Sequence, residues 1–317
     1  MGSCIEQTDF FYTKWCDLGI VSLKIHSNSV CISDIFELHD NNTHELESIP
    51  VVNIYLCDEN NNVFSSKESY REKRMGEGLY LGHHIGQPAK LKIIDDYNMA
   101  LFHPEPFNII RWHLSKYIVN VFALKQNKLY LKGGAVAYKG RAFLILGRGG
   151  AGKTELINKL CENGASFISN THLLIDALMV KGINTNIRIR KNGKDEFVSR
   201  DKLHGENVVK EYLPISGIFW VKYRDSGKGL IKKMNPDELF VNMQFFSEAT
   251  VNWEMKEDMA DYFNSNPISF GKEYLGIYDR MRRLTNVSAY YVNLDIFSTG
   301  EINKVLDLMD IIIKSEK

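Results

Sequence analysis

Residues Arg141 to Gly164 read RAFLILGRGGAGKTELINKLCENG, and the rest of the chain is organised around them. Ala142 to Leu146 is an apolar run with β-branched and aromatic members, which predicts a buried strand. Gly147-Arg148-Gly149-Gly150-Ala151-Gly152-Lys153-Thr154 fits G-x-x-x-x-G-K-[ST] at every fixed position. From Thr154 the apolar residues Leu156, Ile157 and Leu160 recur at helical spacing, and Gly164 marks a stop. Strand, glycine loop and helix are the context in which this motif binds phosphate. Glycines let successive N–H groups share one concavity without Cβ clashes. The helix N-terminus adds partial positive charge. Lys153 would sit on the β- and γ-phosphates of a nucleotide, and Thr154 would offer its hydroxyl to Mg²⁺. Arg148, Ala151 and Glu155 complete the expected cofactor-binding stretch, with ATP the expected nucleotide and GTP an option. A glycine-rich turn that matches by chance, or an eroded loop that no longer binds, are the alternatives.

Composition narrows the class. The 317 residues carry 39 Lys+Arg against 39 Asp+Glu, so net charge is zero, which argues against nucleic acid or an anionic membrane as the main partner. Hydrophobic content of 44% is that of an ordinary globular protein. No apolar run approaches the length of a membrane span. Glu6 and Asp9 interrupt any signal-peptide core, and Glu6 stands where a myristoylation motif wants Ser or Thr. The five cysteines are scattered and odd in number. That argues against a disulfide framework or a zinc site and fits a reducing cytoplasm, where the sequons at Asn41 and Asn286 carry no meaning. His39, His44, His83 and His84 lack the spacing of a metal site and read as ordinary surface or core histidines.

The chain before Pro104 is strand-rich. Ile20 to His26 alternates, Val51 to Leu56 is an apolar run, and Tyr80-Leu81, Leu91 to Ile94 and Ala100 to Phe102 are short strands. Asp40 to Asn42 and Asp58 to Asn62 read as turns. Pro104 and Pro106 mark a boundary, so residues 1–105 are assigned to a smaller β-rich or α+β domain and residues 106–317 to the loop-bearing domain. Asn108 to Leu124 reads as an amphipathic helix. Leu129 to Tyr138 reads as extended chain, with Lys139-Gly140 a hairpin turn. Ala165 to Ile175 is a strand with a polar interruption. Ile187 to Arg190 alternates as an edge strand, and Lys191 to His204 reads as a charged mobile loop. Ile215 to Tyr223 and Ala289 to Leu294 are strands, with a basic hairpin or loop at Asp225 to Lys233. Asn235-Pro236 opens a helix running towards Phe246. Met255 to Phe263 and Lys272 to Leu284 read as helices. Ser298 to Glu301 reads as a capping box for a last helix ending near Ile313.

With those elements placed, Leu131 to Ile175 resembles the catalytic domain of the HPr kinase/phosphorylase family, whose P-loop fold is akin to phosphoenolpyruvate carboxykinase. Leu131-Lys132-Gly133-Gly134-Ala135-Val136 matches the family's short H-G strand. Gly147 to Glu155 matches its loop, and Gly164 to Ile175 matches in position the strand that ends in an acidic pair. Tyr278 to Leu294 and the closing helix resemble the domain's end, so the likeness covers residues 108–317. It implies an α/β protein with a mixed sheet flanked by helices, an ATP-dependent phosphotransferase using Mg²⁺, and a homo-oligomer as an option. Two departures stand out. Lys132 occupies the histidine position, and the acidic pair is Asn170-Thr171, followed by His172. In the family those acids act as general base and metal-associated carboxylates. Asn170 is neutral and takes no proton from a hydroxyl. The N-terminal region does not resemble that of HPr kinases, so HPr itself is a poor choice of substrate.

Three readings follow. The first is a phosphotransferase acting on a peptide, protein or small-molecule acceptor that needs little base catalysis, such as a carboxylate or phosphate, or one whose base is His172, since phosphoryl transfer depends mainly on positioning and charge neutralisation. The second is transfer of AMP, and the third a degenerate nucleotide binder with a regulatory role. Lys153, Lys132, Asn170 and His172 are the catalytic candidates, with His172 either a base or a hydrogen-bonding imidazole. Thr154 and Thr171 are the Mg²⁺ candidates. Arg188 and Arg190 share one face of a strand and would clamp an anionic substrate, or else form a basic solvent face.

Overall fold

The computed structural model describes residues 10–28, 49–57, 74–75, 78–81, 89–102, 106, 110–191, 194–223, 229–253, 255, 259–260, 266–295 and 298–316. His39, His44, His83, His84 and the turns at 40–42 and 58–62 lie outside them, as does most of the helix expected over 255–263. The strands in chain order begin with β1 (Tyr12–Asp17), β2 (Ser22–Ser27), β3 (Val51–Leu56), β4 (Arg74–Met75), β5 (Gly78–Leu81), β6 (Ala89–Asp95) and β7 (Asn98–Phe102). Next come β8 (Leu129–Lys132), β9 (Gly134–Tyr138), β10 (Arg141–Leu146), β11 (Ser166–Ser169), β12 (His172–Asp176) and β13 (Met179–Gly182). A hairpin, β14 (Ile187–Lys191) and β15 (Lys194–Val198), precedes β16 (Leu213–Tyr223), β17 (Leu230–Lys233) and β18 (Ser288–Leu294). The fold is mixed α/β, and no helix of the described residues is long and apolar enough to cross a membrane.

The chain divides into two compact units. The first joins Met1–Phe122 to a separate segment, Asn184–Arg200; the second holds Ala123–Ile183 and Asp201–Lys317. The first of these units extends past Pro104 and Pro106 to Phe122 and includes Asn184–Arg200.

In the first unit β1 to β7 form one sheet in the order β1-β2-β3-β7-β6-β5-β4. Alternation buries Leu23, Ile25, Val52, Ile54, Leu91 and Leu101. The second segment is tied in at Asn184, whose Nδ2 donates to Asp17 Oδ2 at 2.9 Å and whose N–H donates to Leu18 O at 3.3 Å. Residues 191–204, expected as a mobile loop, instead supply β15 and a short helix, Arg200–His204. The register runs from Ile187↔Val198 to Lys191↔Lys194, a two-stranded hairpin. The helix over 115–125 opens as a π turn at Ile110–Leu114. It is apolar nearly all round, with Leu114, Tyr117, Ile118, Val119, Val121, Phe122, Ala123 and Leu124 buried. The buried face is wider than an amphipathic stripe, because Ser115 and Asn120 are buried along with the apolar residues while Lys125 is exposed at the end.

In the second unit β10 sits at the centre. It pairs antiparallel with β9 through the Lys139-Gly140 turn, where both residues have positive φ, 50° and 76°. On its other side β10 runs parallel to β16, and β16 runs parallel to β18. The start of β16 pairs with β13, which leads through β12 to β8. One long strand thus links two arms of a nine-stranded sheet. The helix Lys153–Glu162 packs Leu156, Ile157 and Leu160 onto this sheet, and the last helix, Thr299–Ser315, packs beside it.

Caps explain the helix limits. Asn235 Oδ1 accepts from Asp237 N at 2.8 Å and Glu238 N at 3.1 Å, with Pro236 opening the helix Pro236–Phe246. Asn266-Pro267 repeats the device, so the helix expected from Lys272 starts earlier and spans Pro267–Leu284. The expected capping box at Ser298 does not form, because the Ser298 side chain caps nothing. Backbone turns at Glu301 N→Ser298 O and Ile302 N→Ser298 O start that helix instead. Cys16, Cys57 and Cys161 are free thiols.

Candidate functional site

The loop after β10 leaves the sheet at the C-terminal ends of the parallel strands β10, β16 and β18, where open α/β sheets place their ligands. Gly147 has φ +145°, and a Cβ there would lie 2.6 Å from Val221 O. Only glycine fits such a turn against a neighbouring strand. Gly150 and Gly152 also have positive φ, 74° and 85°, and Gly152 leads directly into the helix Lys153–Glu162. No side chain caps that helix start. Its first N–H groups face outward with the positive end of the helix dipole.

Lys153 Nζ donates to Gly147 O and Arg148 O, both at 2.8 Å, so the lysine folds back across its own loop. Burial, and then the charge of Lys132, pull its pKa from 10.5 down to about 8, against a smaller opposing pull from Glu155. Burial also lowers the pKa of Lys132. Among the described residues neither lysine has a carboxylate in ion-pair range. Thr154 is half-buried in the first helical turn and Glu155 is exposed. The Arg148 guanidinium lies over the Phe246 ring, 4.4 Å from its centre.

A second layer comes from β8, β9 and the β11–β12 turn. Lys132 ends β8 directly opposite His172 of β12. Gly133 N donates to Thr171 O at 2.8 Å. A Cβ on Gly134 would meet Ile157 Cδ1 at 2.3 Å, Ser169 O at 2.8 Å and the Asn170 Cα at 3.2 Å. The Gly-Gly pair therefore lets the Asn170 backbone and the helix close on the same spot. Ser169 organises the turn: its Oγ donates to His172 O at 2.8 Å and accepts from His172 N at 3.1 Å. Asn170 is buried, with Thr171 and His172 half-buried. His172 Nδ1 lies 2.7 Å from Tyr130 Oη, and the Trp253 ring stacks on both, 4.9 Å from Tyr130 and 5.5 Å from His172.

Sequence reading missed the segment after the helix Pro236–Phe246. Ser247 O accepts from Lys132 N at 2.7 Å. Lys132 Nζ donates to Asn252 Oδ1 at 2.9 Å. Glu248 caps the short helix Ala249–Asn252 by accepting from Thr250 N at 2.7 Å and Val251 N at 2.8 Å. Asn252 Nδ2 is buried and lacks an acceptor among the described residues. A Glu248-to-Thr250 cap is a local signal; the approach of Asn252 to Lys132 has none.

Lys132, Lys153, Asn170, Thr171 and His172 thus share the second unit with the glycine loop. Arg188 and Arg190 lie on β14, in the first unit. Among the described residues no group of three or more His, Cys, Asp or Glu could hold a metal. The oxygens at hand, from Thr154, Thr171 and Asn170, are neutral. Such a donor set suits a Mg²⁺ delivered on phosphates with its waters and does not suit a resident ion.

No protein-family profile and no curated protein matches the chain. Among solved structures, the HPr(Ser) kinase/phosphatase from Coxiella burnetii aligns over 59% of this chain and 99% of that chain, at 10% identity and a TM-score of 0.32. An overlap that loose carries no argument, and the chemistry rests on the geometry above.

Proposed function

We propose that the chain binds Mg-ATP at Gly147–Thr154 and transfers the terminal phosphoryl group to an acceptor, a peptide side chain or a small metabolite. The observation that carries the reading is Lys153: a partly dehydrated cation, bonded to two loop carbonyls at 2.8 Å, beside an uncapped helix start. Its depressed pKa marks a position that holds positive charge at a cost. A phosphate group removes that cost. A bond from the ammonium to a phosphate oxygen adds opposite-charge attraction that its bonds to neutral carbonyls lack.

In this reading the loop N–H groups hold the β-phosphate. Lys153 trades its carbonyls for β- and γ-oxygens and neutralises charge as the phosphoryl group departs. Thr154, with Thr171 across the site, would hold Mg²⁺, which when bound draws charge off the leaving diphosphate. Asn170 would orient a substrate oxygen. The neutral pair Asn170-Thr171 also favours a second reading, a nucleotide binder without turnover; a nucleotidyl transferase would differ by leaving AMP on the acceptor and releasing pyrophosphate in place of ADP.

Calorimetric titration of Mg-ATP into the wild type and Lys153→Ala, with and without Mg²⁺, tests the reading. Metal-dependent binding lost in the variant is the expected result, followed by ADP as the product once an acceptor is supplied. Binding indifferent to Mg²⁺ would favour the silent binder. No binding of ATP or GTP by the folded wild type would overturn the proposal.

A further inference from the structure

Tyr130 determines what kind of acceptor the site can take. Its side chain is 2% exposed, and burial raises its pKa well above 10.0. A buried phenol keeps its proton and needs an acceptor for it. Among the described residues the acceptor within reach is His172 Nδ1, at 2.7 Å. Tyr130 therefore donates and Nδ1 accepts, which leaves the neutral imidazole's proton on Nε2. In this tautomer His172 meets its surroundings as a donor, with no lone pair left on Nε2 to take a proton.

The neighbouring groups have the same character. Lys132 has only donors to offer, so the Asn252 atom facing it is the oxygen and the amide nitrogen is the one left without an acceptor. Lys153 and the uncapped helix start add further donors. Among the described residues two carboxylates, Glu248 and Glu155, adjoin these groups. Both oxygens of Glu248 are taken by Thr250 N and Val251 N, and Glu155 stands exposed on the helix surface. Among the described residues a neutral hydroxyl acceptor would find cations and donors here, and no unengaged carboxylate.

We propose that the acceptor presents an oxyanion, a carboxylate or a phosphate monoester, to Lys132 Nζ and Asn252 Nδ2. The inference rests on the nucleotide reading of Gly147–Thr154. The step needs no base. A lone pair of the acceptor oxygen forms the new P–O bond, the bond from Pγ to the bridging oxygen breaks, and its electron pair leaves on the nucleoside diphosphate. No proton moves, which suits a neutral Asn170. The product is an acyl phosphate or a phosphoanhydride.

The test uses the full chain saturated with Mg²⁺ and the non-hydrolysable ATP analogue AMP-PNP, so that the γ-position is filled. Inorganic phosphate and acetate are then titrated separately into this complex, in the wild type, Lys132→Met and Asn252→Asp. The expected result is binding of at least one probe to the wild type, weakened about ten-fold or more in each variant, the size of one lost charge-assisted bond. Preference for phosphate or acetate assigns the acceptor class. No second anion bound, or binding equal in all three proteins, overturns the proposal. Failure of AMP-PNP itself to bind sinks the nucleotide reading instead. Should both variants unfold, ¹⁵N NMR of His172 in the wild type decides: a proton on Nε2 supports the proposal, and one on Nδ1 overturns it.

Discussion

Replacing Lys153 by methionine isolates the cost of holding a cation in the loop. Burial and Lys132 take the Lys153 pKa from 10.5 to about 8 in the folded chain. At about 1.4 kcal/mol per pK unit, that gap is a penalty of about 3 kcal/mol on the charged form. The sign follows from proton counting. Between pH 8 and 10.5 the unfolded chain holds more of this proton than the folded one, so stability rises with pH across that window. Methionine has no proton to lose and shows no such rise. Lys153→Met also loses the bonds to Gly147 O and Arg148 O, which shifts the comparison by a constant and leaves its slope untouched. Urea unfolding of both proteins at pH 7.0 and 9.5 provides the assay. The wild type should gain about 2 kcal/mol on the variant between those pH values. A stability difference that stays the same at both would refute the argument, because Lys153 would then carry no strain for a phosphate to relieve.

Other perturbations test the frame around the site. Gly134→Ala should lower the thermal midpoint by the equivalent of about 1–3 kcal/mol, because its Cβ would press on Ser169 O and Ile157 Cδ1; an unchanged midpoint would mean the close approach is absent. Asn235→Ala should cost about 1 kcal/mol in chemical denaturation through its lost cap, and nucleotide binding should be unaffected. In the first unit, His26 stacks on Tyr55 at 4.7 Å and burial lowers its pKa below 6.5. Stability there should be complete above pH 6.5 and fall as pH drops through the folded pKa. His26→Gln should flatten that part of a melting-temperature profile; an unchanged acid slope would show that another group titrates.

What could be read in advance was whatever a few consecutive residues dictate. The strand–loop–helix around Gly147 to Glu162 depends on glycine torsions and helical spacing, and Asn235-Pro236 carries its cap in adjacent side chains. The same Asn-Pro signal at Asn266 went unread because the apolar spacing becomes regular only from Lys272. At Ser298 the motif was present but a backbone turn supplied the start without it. Gly133-Gly134 reads in sequence as a break in a strand. Its reason is distance: Leu146, Ile157 and Ser169 all come within the space a Cβ would need. Asn252 reaches Lys132 across 120 positions, and no local pattern encodes that meeting. Residues 191–204 read as a loop by their charge, but backbone pairing of Lys194–Val198 with Ile187–Lys191, a contact that no local charge pattern encodes, gives them a strand.

The split of the first unit affects how the chain is born. A ribosome that has just released Phe122 has not yet made Asn184–Arg200, which belongs to that unit. The bonds from Asn184 to Asp17 and Leu18 close only after the whole glycine loop and its helix have been synthesised. The second unit has to wait in turn for Asp201 onward, including β16, the strand that joins its two arms. The two units therefore cannot mature one after the other from N- to C-terminus, and synthesis interleaves them.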